Sequence, residues 1–93
     1  PKNKLPFAGV YVVKALLEGK EYGGIANMGV RPTVGGEKPV LEVHLLNFSG
    51  NIYGKRIKVE FCKKVREEKK FGGLEELKEQ IFKDISTAKE YFS

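Results

Sequence analysis

Residues 8–28 read AGVYVVKALLEGKEYGGIANM, two extended runs on either side of a glycine, and this stretch decides the fold class. The first run, Ala8 to Leu17, is rich in Val and too short between turn signals for a helix, so it predicts a strand buried on much of both faces. Glu18-Gly19-Lys20 sets a residue tolerant of positive φ between the runs, which predicts a hairpin, with Tyr22 to Met28 as the returning strand. Asn27-Met28-Gly29, at the end of that strand, reads as turn chemistry.

Further along, GVRPTVGGEKP (29–39) holds three glycines and two prolines in eleven residues, too many for an element interior. It predicts a long loop, and long loops are a first place to look for a site. Val40 to Phe48 alternates, with Leu41, Val43 and Leu45 on one face and Glu42, His44 and Leu46 on the other. After a turn at Ser49-Gly50-Asn51, Arg56 to Val65 alternates again, Ile57, Val59, Phe61 and Val65 opposing Lys58, Glu60, Cys62 and Lys64. These two runs are expected to pair antiparallel.

From Leu74 the period changes: Leu74, Leu77, Ile81, Ile85 and Ala88 recur every three or four residues, with Phe82, Tyr91 and Phe92 widening the stripe. That predicts one amphipathic helix, whose early Glu75 and Glu76 and late Lys89 suit the helix dipole. Four antiparallel strands and a terminal helix make a mainly β fold, a small barrel or strongly curved sheet with the helix covering one side. Four strands alone struggle to close a barrel, so further N-terminal strands are expected to be missing.

The 93 residues fit one domain, and 41% hydrophobic against 31% charged excludes a disordered chain. No apolar run approaches the roughly 20 residues of a membrane span. A lone Cys62 forms no internal disulfide, which points to the reducing cytoplasm. The net charge of +5 favours anionic partners, but it is diffuse, and the run Lys63 to Lys70 is broken by Glu67 and Glu68. One His and one Cys exclude a zinc site of ordinary spacing. Ser49, Ser86 and Ser93 lie in no nucleophile elbow, and Gly35-Gly36 opens no P-loop. Glu42 and His44 share a strand face and could act as a base and its polar neighbour; a plain outward polar face explains the same spacing.

Taken in order, GVYVVKALLEGKEYGGIANMGVRPTVGG, LEVHLLNFSGNIYGKRIKVEF and VREEKKFGGLEELKEQIFKDISTAK resemble the riboflavin kinase domain of bacterial bifunctional FAD synthetases, over about Leu5 to the C-terminus. The resemblance implies a six-stranded antiparallel Greek-key β-barrel with one C-terminal helix, here without its first strands. Residues 1–93 would then be a single, N-terminally truncated kinase domain whose adenylyltransferase partner domain is absent. It also implies transfer of phosphate from ATP to the ribityl 5′-hydroxyl of riboflavin, giving FMN and ADP with Mg²⁺, and no nucleic acid or membrane partner.

By the same resemblance Glu42 is the catalytic base, and Asn27, His44, Phe48 and Tyr53 are nucleotide contacts, although barrel packing explains Phe48 and Tyr53 as well. Arg66 would lie near phosphate, Glu68 and Phe71 would shape the flavin pocket, and Lys69 and Lys70 would form a solvated face. The family's Pro-Thr-Ala-Asn motif, which contacts Mg²⁺, is not in the chain, since Arg31-Pro32-Thr33 is followed by Val34-Gly35. No metal ligand is therefore expected here, and the piece alone is expected to have little or no kinase activity. Two competing readings remain at this level: a basic barrel for single-stranded nucleic acid, and a structural or assembly module.

Overall fold

The computed structural model describes residues 8–50 and 54–93. The Val-rich run becomes β1 (Gly9–Leu17) and takes an interior position in a four-stranded antiparallel sheet, because its side chains need cover on both faces. Val10 and Val12 pack on one side with Ile25, Leu46 and Ala88. Ala15 and Leu17 pack on the other with Leu45, and Tyr22, Val43 and Phe48 close around them. Glu18 and Gly19 take φ of 51° and 81°, the two left-handed residues of a turn that matches strand twist. β2 (Lys20–Thr33) returns along β1 from Lys20 opposite Leu17 to Met28 opposite Gly9.

Residues 29–39 are not a long loop. β2 continues to Thr33, the chain turns at Val34-Gly35, where Gly35 has φ 89°, and β3 (Gly36–Leu45) runs back along β2. The prolines fit because each sits where one flank of its strand is unpaired: β3 is an edge, and β2 loses β1 as a neighbour beyond Met28. Asn27 consequently lies within β2 rather than at a turn.

β4 (Ile57–Arg66) pairs with β1, not with β3 as the alternation of the two runs predicts. The strand order β3-β2-β1-β4 puts those two runs on opposite edges. β1 is the most apolar strand and requires a second neighbour, and Asn47 (φ 55°) and Gly50 (φ 133°) lead the chain out of β3 without doubling back. Two register shifts in the β1–β4 ladder leave Cys62 and Val65 as the extra residues, and both side chains pack on the Val10–Val12 cluster. Strict alternation had put Cys62 on the polar face.

The helix α1 (Leu74–Phe92) lies along the sheet with Ala88 and Asp84 buried. Gly73 caps it without a side-chain bond, while the Gly72 N–H donates to Glu76 Oε1 at 2.8 Å. Phe82 falls outside the buried stripe, 71% exposed, because it sits about 100° around the helix from Ile81. Among the described residues the sheet is open, as part of a barrel would be, and no helix is long and apolar enough to cross a membrane.

Candidate active site

The pairing registers align one residue from each strand. Arg66 on β4 opposes Val10 on β1, Val10 opposes Asn27 on β2, and Asn27 opposes Glu42 on β3. Directly opposed residues project from the same face of a sheet, so a guanidinium, a valine, a carboxamide and a carboxylate form one row on the side that α1 covers. Two residues along each strand, Val12, Ile25 and His44 form a second row. A cleft of about 350 Å³ opens between this face, the segment after β4 and the helix, with Val10 and Ile25 as an apolar floor and Leu77, Ile81 and Ile85 opposite.

Five of the residues singled out from the sequence line this cleft: Asn27, Glu42, His44, Arg66 and Phe71. Three do not. Phe48 packs edge-to-face on Tyr22 with ring centroids 5.2 Å apart, against the opposite core cluster. The Glu68 carboxylate lies against Gly29, where any Cβ would displace it; Gly29 is two residues beyond Asn27 on the same face of β2. Tyr53 lies outside the described residues.

At one end of the row Glu42 Oε1 accepts a hydrogen bond from Arg31 Nη2 at 3.1 Å, and both side chains are largely exposed. At the other end Arg66 is held on three sides. Its Nε donates to Asp84 Oδ1 at 3.1 Å, Nη2 to Asp84 Oδ2 at 2.8 Å and Nη1 to the Glu67 carbonyl at 3.1 Å. The Gln80 amide donates to Asp84 Oδ1 at 3.0 Å, and the Phe71 ring lies 5.9 Å from the guanidinium carbon. Sequence reasoning missed Arg31, Gln80 and Asp84. The signal for Asp84 was present: an acidic residue between Ile81 and Ala88, inside the buried stripe, requires a cation opposite it.

Asn27 differs from its neighbours. Its Oδ1 is buried and accepts no hydrogen bond, and among the described residues no other buried side-chain nitrogen or oxygen lacks a partner. The cleft thus offers a carboxylate able to take a proton, a fixed cation and an aromatic wall. Among the described residues no group of three or more His, Cys, Asp or Glu side chains could hold a metal ion.

The family model and the curated relatives point to one family. A family model described as Flavokinase, riboflavin kinase, matches residues 1–92. The chain is 53% identical over 89 residues to the bifunctional riboflavin kinase/FMN adenylyltransferase of Haemophilus influenzae, covering 95% of this chain and 29% of that protein. It is 46% identical over 92 residues to the bifunctional riboflavin kinase/FMN adenylyltransferase of Bacillus subtilis, covering 96% of this chain and 29% of that protein. Among solved structures, a crystal structure described as a macrolide-efflux protein from Streptococcus pneumoniae superposes with a TM-score of 0.84 at 29% identity, over 92% of this chain and 28% of that one. The chain therefore spans less than a third of the length of the relatives it matches.

Proposed function

The chain belongs to the riboflavin kinase family, and from that membership we propose that it is the kinase domain of a longer enzyme, moving the terminal phosphate of ATP to the 5′-hydroxyl of riboflavin. The observation that carries this reading is the row Arg66–Val10–Asn27–Glu42 on the wall of a single cleft. Riboflavin needs a flat apolar surface for its ring and polar groups for its ribityl chain, and Phe71 with the Val10–Ile25 floor supplies the first.

In this reading Glu42 takes the proton of the 5′-hydroxyl as that oxygen bonds to the γ-phosphorus. The bond from the γ-phosphorus to the β–γ bridging oxygen breaks, and ADP leaves with the electron pair. Arg31, on Oε1, fixes the carboxylate and leaves Oε2 for the substrate. General-base help of this kind is worth about 10² to 10⁴ in rate, with positioning and charge neutralisation supplying the rest. His44, two residues along β3, faces the same cleft and is the proposed nucleotide-side contact, with Arg66 and Phe71 on the flavin side. Mg²⁺ accompanies the nucleotide in the proposal and would offset charge on its phosphates. An FMN adenylyltransferase domain on the same polypeptide and a cytoplasmic setting complete the reading.

The nucleic-acid alternative has little to recommend it: Tyr11 stacks edge-to-face on Phe61 and Tyr22 on Phe48, so these rings contact one another instead of lining a groove. In the full-length protein, Glu42→Gln is expected to lower kcat for FMN formation by about 10² to 10⁴ while the riboflavin KM stays within about threefold. A fully active Gln variant would remove Glu42 from the role of base.

A further inference from the structure

We infer that Gln80 is a positioning residue for the flavin end of the cleft, its side-chain amide tying the segment after β4 to the Asp84–Arg66 pair and so holding Phe71 in place. The inference rests on the flavin reading above and adds to it a residue that touches no substrate. Its starting point is one planar group bonded at both ends. Gln80 Nε2 donates to Asp84 Oδ1 at 3.0 Å, and Gln80 Oε1 accepts from Lys69 Nζ at 3.3 Å.

The two partners call for an amide. A carboxylate needs a donor and an ammonium needs an acceptor, and the amide carries one of each on separate atoms of a rigid plane. Glu in its place would have the same length and keep the acceptor for Lys69. It would also set a second carboxylate four residues before Asp84 on one helix, a repulsive pair. Leu would fill a similar space and bond neither partner.

What the amide joins bears directly on the cleft. Asp84 accepts from Arg66 Nε and Nη2, and the Arg66 guanidinium carbon stands 5.9 Å from the centroid of the Phe71 ring. Lys69 Nζ stands 5.6 Å from the same centroid. The contacts therefore close on themselves, from Gln80 through Asp84, Arg66, Phe71 and Lys69 back to Gln80. Of these, Asp84, Arg66 and Phe71 line the cleft. A free lysine side chain samples many rotamers, whereas one bonded at Nζ keeps its ammonium near the ring and adds a cation–π attraction to the one from Arg66. Gly72 and Gly73, which lead from this segment into α1, bring no side chains to hold it.

The test is steady-state kinetics and Tm of the full-length protein, as wild type, Gln80→Leu, Gln80→Glu, Lys69→Met and the Gln80→Leu/Lys69→Met double variant. Gln80→Leu is expected to raise the riboflavin KM by about three- to tenfold, the effect of one ordinary hydrogen bond. Its kcat and ATP KM should stay within about twofold of wild type, because Glu42 lies at the far end of the row. Gln80→Glu should raise the riboflavin KM further. The double variant should match Gln80→Leu alone to within about twofold, since the two residues act through one bond. A merely structural role would lower Tm and kcat and leave this split absent. An unchanged riboflavin KM in Gln80→Leu overturns the inference, and so do single effects that multiply in the double variant. If Gln80→Leu melts more than about 5 °C early, Lys69→Met, which leaves the helix intact, decides by the same rise in riboflavin KM or its absence. A wild type that does not phosphorylate riboflavin overturns the functional reading itself, an outcome distinct from loss of any variant effect.

Discussion

A carboxylate only 4% exposed, as Asp84 is, survives in a small domain only with its charge answered, and Arg66 answers it through two parallel hydrogen bonds. Truncating Asp84 would leave the guanidinium partly buried and unpaired on the floor side of the cleft. Asp84→Ala is therefore expected to destabilise the domain by about 3 kcal/mol. In thermal unfolding that reads as a fall in Tm of more than about 10 °C for a chain of this size. A change of less than about 3 °C would show that the pair contributes little. Glu42→Gln should behave oppositely, lowering turnover with little change in Tm, because Glu42 and its partner Arg31 are largely exposed. At this scale the sequence was legible where a contact depends on local periodicity. Glu42 and His44 share a face by simple alternation. The partnerships of Arg31 with Glu42 and of Arg66 with Asp84 were hidden, because they depend on hairpin register and on where a helix 18 residues downstream settles.

Among the elements, β1, its hairpin turn and α1 were readable from residue pattern, since each depends on neighbours a few positions away. The misreadings share a cause. Glycine and proline in 29–39 signal turns locally, yet both prolines are harmless on strand flanks that have no partner, a fact set by the neighbouring strands. Likewise the two bulges in β4 change the facing of Cys62 through pairing with β1, which alternation within β4 cannot reveal. The β2–β3 hairpin is held closely enough to be tested by one methyl group. A Cβ on Gly24 would fall 2.5 Å from the backbone carbonyl oxygen of His44, an atom that cannot swing aside. Gly24→Ala should cost about 1–3 kcal/mol in urea denaturation and, by displacing β3, raise the riboflavin KM. Unchanged stability would mean that β3 can move away without loss.

For the molecule as a whole, the chain covers 29% of the length of its Haemophilus influenzae relative, and the sheet among the described residues keeps two free edges. The proposal that this piece carries a flavin cleft but lacks the groups that hold the metal predicts a split result. The isolated 93-residue chain should quench flavin fluorescence yet form FMN at less than about 1% of the full-length rate, the deficit expected when positioning of the phosphoryl group is lost. Turnover at the full-length rate would show that the chain alone completes the site. The fold class was foreseeable from the amino acids; the strand order was not, because it is decided by which edge the most apolar strand leaves open, and residues 29–39, the first place to look for a site, line no part of the cleft.

The alignment Arg66–Val10–Asn27–Glu42 draws one member from every strand. A slip of a single position in any of the three ladders would turn its member to the far side of the sheet. If the proposed site is right, vitamin capture is an all-or-nothing gauge of correct assembly: no lone hairpin, and no mispaired trio, completes the row.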